Sequence, residues 1–92
     1  MKNNKLKEFF KFLKEHRYPN LPEEFSASIS YDNQYQFKVY LFPSRPHNFW
    51  IGSDLLYLHN LCEILGLDFS IWALNGVPVV KVWYIDRKWL QQ

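Results

Sequence analysis

The residues of this chain that could do chemistry are few and widely spaced. His16, His47 and His59 stand on separate stretches, with no serine or cysteine beside them arranged as a nucleophile. One spacing suits a metal: His59-x-x-Cys62 brings two donors together at i and i+3 of a helix. A zinc site takes about four ligands, and the nearby sequence supplies few others. Cys62 also falls in an apolar row, where a buried thiol usually serves as a small hydrophobe. The acids are scattered, and no pair is spaced for general acid–base work. Neither a Gly-rich phosphate loop nor a Walker lysine motif occurs. The residues therefore predict no enzyme, no cofactor and no metal. What remains is recognition, and its best candidates are Trp72 and Trp83 with Val79 and Lys81 between them.

Those residues belong to Leu67–Ile85, the stretch with the plainest structural signal. Asn75-Gly76 sits between two β-rich runs, and both residues accept the positive φ of a type I′ turn. A two-residue loop sets the register: Leu74 faces Val77, Trp72 faces Val79, Ser70 faces Lys81 and Asp68 faces Trp83. Alternation then gives one apolar face, Leu67, Phe69, Ile71 and Ala73 with Pro78, Val80, Val82 and Tyr84. The opposite face mixes Asp68, Ser70 and Lys81 with Trp72, Leu74, Val77, Val79 and Trp83.

Three further elements must position this hairpin. Residues 4–17 read as a helix whose Leu6, Phe9, Phe10 and Leu13 form the apolar stripe, beside a basic face of Lys7, Lys11 and Lys14. The face reads as solvated, although a basic amphipathic helix can also meet a membrane surface or an acidic partner. Tyr18-Pro19-Asn20-Leu21-Pro22 is a stiff connector. Residues 25–42 form a second hairpin, with a three-residue loop pairing Tyr31 with Tyr35 and Ile29 with Phe37. That register gathers Phe25, Ala27, Ile29, Tyr31, Tyr35, Phe37, Val39 and Leu41 on one face and leaves Ser26, Ser28, Ser30, Gln36 and Lys38 wet. Residues 43–52 form a loop carrying Arg45 and Trp50. A helix over 54–65 follows, N-capped by Ser53 and stopped by Gly66, with Leu55, Leu58, Leu61, Cys62 and Leu65 in one stripe. Residues 86–92 form a short polar tail.

The order helix, hairpin, helix, hairpin predicts one α+β domain over residues 1–92: a four-stranded, largely antiparallel sheet with two helices packed on it. It is also the order of a ferredoxin-like chain whose first strand has moved to the end. The order invites comparison with LAGLIDADG homing endonucleases, but their small-residue signature and terminal acid are missing from Phe9 to Glu15. Aromatic residues make up 20% of the 92 residues, so the core is expected to be built from rings. A net charge of +2 is too weak to argue for nucleic acid by itself. The single cysteine suits a reducing compartment. No apolar run follows the N-terminal charges, and none approaches about 20 residues, so neither a signal peptide nor a membrane span is expected, and a cytoplasmic location is.

The Trp72/Trp83 face poses the functional question, because a buried Trp removes roughly 150–250 Å² from water. Either the first helix covers that face, making three layers, or another chain does. The first reading is a small non-enzymatic protein-binding module, docking on a target or on itself as a homodimer. Its partner-binding residues would be Trp72, Trp83, Val79, Lys81, Trp50 and Arg45. A phage or mobile-element inhibitor of a host defence protein would suit its size and its lysine- and asparagine-rich composition. The alternative is a single-stranded nucleic-acid-binding protein, in which sheet aromatics stack on bases while Lys81, Lys38, Arg45 or the basic helix meets phosphates.

Overall fold

The computed structural model describes residues 2–21, 25–43 and 50–90. Along the chain come α1 (Asn4–His16), β1 (Phe25–Asp32), β2 (Gln36–Pro43), α2 (Gly52–Leu65), β3 (Asp68–Leu74), β4 (Val77–Ile85) and a short α3 (Arg87–Leu90). The four strands form a single antiparallel sheet in the order β1-β2-β4-β3. β2 and β3, which α2 joins, therefore run parallel with β4 between them. The polar tail after Ile85 contains the α3 turn, opened by Asp86, whose carboxylate accepts from the Lys88 amide at 2.9 Å.

Both helices lie on one side of the sheet. Leu6, Phe9 and Leu13 of α1 and Leu58, Leu61, Cys62 and Leu65 of α2 share one core with Phe37, Val39, Leu41, Val80 and Val82. Those strand residues all belong to one face of the sheet, the inner face. A Leu, Val or Phe fully buried there contributes about 1.5–3 kcal/mol. Phe12, which lies off the main stripe, packs half-buried at the margin of this core. Neither α1 nor α2 packs on the opposite, outer face, so the described residues form two layers rather than three.

The β3–β4 hairpin has the expected register, with Leu74 opposite Val77, Trp72 opposite Val79, Ser70 opposite Lys81 and Asp68 opposite Trp83. Asn75 (φ 52°) and Gly76 (φ 79°) supply the two positive-φ residues its turn requires. The helices cover only part of its inner face. Leu67, Val80 and Val82 are buried, whereas Ile71 is 51% exposed near the turn.

The first hairpin departs from expectation. Ile29 pairs with Val39 rather than Phe37, and Tyr31 with Lys38 rather than Tyr35. The turn is tighter: the Asn33 amide donates to the Gln36 carbonyl at 2.9 Å, leaving Gln34 and Tyr35 at the tip. The Asn33 side chain accepts from the Tyr35 and Gln36 amides at 2.9 and 3.1 Å, the self-bonding that suits Asn to turns. A tighter turn shifts the pairing by an odd number and would carry Ile29 to the outer face. The register shift between Ile29 and Tyr31, with Ser30 as the extra residue of a bulge, restores it. Tyr31 alone changes sides.

The start of α1 is fastened to this turn. Asn3, 1% exposed, caps the helix through its side-chain oxygen, which accepts from the Lys5 and Leu6 amides at 2.9 and 3.3 Å. Its side-chain amide donates to the Asn33 carbonyl at 2.9 Å, and the Asp32 carboxylate accepts from the Lys2 and Asn3 amides, both at 2.7 Å. α2 begins before the expected cap: Ile51 occupies the N-cap without a side-chain bond, and Ser53 lies in the first turn. Gly66 ends α2 in the left-handed conformation at φ 72°, as its type requires. Among the described residues, no helix is long and apolar enough to cross a membrane.

Candidate binding face

The outer face is built from the even-numbered residues of β2 and β3 and the odd-numbered residues of β4. The strand registers align them into rows that cross the sheet. One row holds Ser28, Tyr40, Lys81 and Ser70, and the next holds Tyr31, Lys38, Trp83 and Asp68. One step beyond the Leu41–Val80 pair, the same register sets Ser26, Phe42, Val79 and Trp72 in a third row. Five rings thus share this face with two lysines and one carboxylate.

The lysines are held on the rings. Lys81 Nζ lies 4.8 Å from the Trp72 ring centre and 4.5 Å from that of Trp83, so the ammonium bridges both indoles. Lys38 Nζ lies 5.3 Å from the Tyr31 ring, a contact that exists because the bulge at Ser30 turns Tyr31 outward. Contacts of this kind contribute about 0.5–1 kcal/mol at exposed sites. The ion pairs among the described residues are Arg17–Asp54 and His59–Glu63, so neither lysine has a carboxylate partner there. Among the described residues, the face therefore presents two ammonium groups set into aromatic surface, neither ion-paired with the one carboxylate, Asp68, that shares it.

The structure separates the residues that sequence grouped together. Trp72, 47% exposed, Trp83 and Lys81 lie together on the outer face. Val79 belongs to the same face but is 0% exposed; it is a floor in the row of Phe42 and Trp72, not a contact surface. Trp50 lies elsewhere, packed on Phe25 at 5.5 Å between ring centres, with its indole N–H donating to the Pro78 carbonyl at 3.0 Å. It plugs the margin of the inner core. Arg45 lies outside the described residues. Tyr40 and Phe42 are half-buried members of the face that the hairpin alone did not reveal. Their aromatic character at alternate positions was the available signal, but only the β2–β4 pairing joins them to Trp83 and Val79. The exposed Lys7, Lys11 and Lys14 belong to α1, in the layer behind the sheet, and contribute nothing to this face.

His59, Arg17, Tyr18 and Asp54 have protein partners, whereas among the described residues the buried Tyr57 hydroxyl has no hydrogen-bond partner. The His59 ring meets Phe69 edge-on at 5.3 Å, and its Nε2 lies 3.6 Å from Glu63 Oε1. Burial, with the Asp68 charge adding to it, pushes the Cys62 thiol up to about 12. No cluster of three or more metal-binding side chains occurs among the described residues. At the far end of the helices, Tyr18 donates to Asp54 at 2.6 Å while Arg17 reaches the same carboxylate at 3.3 Å and lies over the Tyr57 ring at 5.0 Å. Burial, and then the bond to Asp54, raises the Tyr18 phenol well above its ordinary value. This cluster ties the end of α1 to the start of α2. Comparisons with protein-family models, curated proteins and solved structures found no match to this chain.

Proposed function

We propose that the chain is a non-enzymatic protein-binding module that docks through the outer face of its sheet. The observation that carries this reading is the placement of Lys81 between Trp72 and Trp83, without a carboxylate partner among the described residues, on a layer that neither main helix covers. Trp and Tyr are the residues that dominate interface energetics when a partner desolvates them. The partner surface that fits is apolar at the centre and acidic where it meets Lys81 and Lys38. A small inhibitor of a host defence protein, carried by a phage or mobile element, is the biological setting this reading favours.

Single-stranded nucleic acid is the second reading, favoured by five rings on an open antiparallel sheet. It is weaker because the basic row of α1 lies behind the sheet, leaving two lysines and Asp68 on the face itself. The test is affinity capture from the native host after nuclease treatment, with wild type, Trp72→Ala, Lys81→Glu and a Lys7→Glu/Lys11→Glu control. One protein retained by wild type and the control, and lost from Trp72→Ala and Lys81→Glu, is the expected result. Capture abolished by nuclease, or unchanged by Trp72→Ala and Lys81→Glu, would overturn it.

A further inference from the structure

Asn75-Gly76 sets the register of the β3–β4 hairpin, and it also places an amide nitrogen one residue beyond a side-chain amide carbon. Of the seven asparagines, Asn75 is the one that glycine follows. Glycine has no Cβ to shield its nitrogen, and nothing lies within 4 Å of where a Cβ would stand on Gly76. Both residues are exposed at the tip of the hairpin. In a two-residue turn the ladder bonds belong to the flanking pair, here Leu74 and Val77, and the Gly76 amide is left out of them. Among the described residues, no hydrogen bond of the turn engages that amide or the Asn75 side chain. Other asparagines are held. Asn3 is buried with its side chain bonded at both ends, and the Asn33 side chain accepts from two amides. Asn4 and Asn60 lie in helices, where the ladder fixes the backbone.

We propose that Asn75-Gly76 is a self-modifying site whose product unseats the docking face from its tip. The Gly76 nitrogen loses its proton to hydroxide and attacks Cγ of Asn75. A new N–Cγ bond closes a succinimide ring, the Cγ–Nδ2 bond breaks, and the side-chain nitrogen leaves as ammonia. Water then opens one of the two imide C–N bonds. One opening gives aspartate; the other, the main product, gives isoaspartate, in which the backbone runs through the former side chain. The attack needs rotation of the Asn75 backbone out of the turn. That motion is opposed by little here, because Ile71 is 51% exposed, Trp72 47% and Leu74 42%, beyond the part of the hairpin that the helices cover. Aspartate keeps the turn, since Asp-Gly also accepts the type I′ conformation. Isoaspartate lengthens the loop by one backbone atom, so Leu74 no longer stays opposite Val77, and the slip reaches Trp72 opposite Val79. The consequence for docking rests on the reading of the outer face; the reaction itself does not.

The test uses the purified chain held in mildly alkaline buffer, with and without urea, followed by peptide mass spectrometry that separates isoaspartate from aspartate. In the folded chain Asn75 should react first, at least about tenfold faster than any other asparagine and within about a hundredfold of its rate in urea, the allowance for local opening of an exposed tip. The rate should rise in proportion to hydroxide. Isoaspartyl methyltransferase with a labelled methyl donor should mark the same peptide. Asn75→Gly keeps a turn of positive-φ residues and should leave that peptide unlabelled. Amide hydrogen exchange of the separated products should show protection at Leu74 and Trp72 lost with isoaspartate and kept in Asn75→Asp. Another asparagine reacting first, a folded chain inert while the chain in urea reacts, or isoaspartate that leaves Leu74 and Trp72 protected would each overturn the proposal. Such a failure leaves the docking reading standing, because capture uses fresh, unmodified chain. A failed capture with that chain would count against docking and not against the reaction.

Discussion

The two faces of the sheet share the same strands and follow opposite rules. On the inner face, Phe37, Val39, Leu41, Val80 and Val82 are all 0% exposed and share one core with both main helices. On the outer face the rings are half-buried or exposed and hold two ammonium groups instead of a second layer. Neighbouring residues of one strand therefore differ in environment: Val80 is buried beneath the helices, while Lys81 lies against two indoles on the open layer. Aromatic content says little about which is which. Phe9 and Phe37 are core, Trp50 is a plug, and Trp72 is surface.

The widest separation between the faces should appear on truncating Phe37. Phe37→Ala removes a fully buried ring from the centre of the inner face and should cost about 3–5 kcal/mol, read by urea denaturation. A loss below about 1 kcal/mol would mean that the inner layer is not the core. Val79→Ala probes the boundary, since Val79 is buried on the outer side. Two methyl groups and the space they leave should cost about 2 kcal/mol. A negligible cost would show that Phe42 and Trp72 close over the gap.

Cys62 tests whether the helix layer excludes water. Its thiol is raised to about 12 by burial, against roughly 8.5 for an exposed cysteine. The folded state therefore holds this proton more tightly than the unfolded chain. The associated stability is intact below about pH 8.5 and is lost as pH rises toward 12, at up to about 1.4 kcal/mol per unit. Native protein at pH 8 should react with a disulfide reagent only as fast as it opens. Immediate reaction would place the thiol in solvent and break the contrast between the layers.

How much of this was legible in sequence depended on whether the deciding contacts were local. The β3–β4 register follows from Asn75-Gly76, two residues whose backbone needs are met within the turn. The β1–β2 register does not, because α1 takes its turn groups: the Asp32 carboxylate binds the Lys2 and Asn3 amides, and the Asn33 carbonyl binds Asn3. With Asp32 so engaged, the turn closes between Asn33 and Gln36, and Ser30 bulges to keep Ile29 inward. The candidate face divided in the same way. Trp72, Lys81 and Trp83 belong to one hairpin and could be grouped from alternation. Tyr40 and Phe42 joined them only through β2–β4 pairing between residues far apart in the chain, and Trp50 looked like a site residue because nothing local shows its bond to Pro78.

The smallest effect bears most directly on function. Trp72→Ala should cost less than about 1 kcal/mol, because nearly half of the side chain is already in water and Val79 keeps its other neighbours. Part of that loss should belong to Lys81. In a double-mutant cycle with Lys81→Met, the coupling should be about 0.5–1 kcal/mol, the value of an ammonium over an exposed ring. Met keeps most of the aliphatic stem, so the cycle isolates the charge. Raising the salt from 0.01 to 0.1 M should leave the coupling nearly unchanged if ring and ammonium are in contact, since the screening length is still about 10 Å at 0.1 M, well beyond their 4.8 Å separation. A single-mutant loss above about 3 kcal/mol would make Trp72 part of a core, and the outer face would then be a second interior rather than a surface kept for a partner.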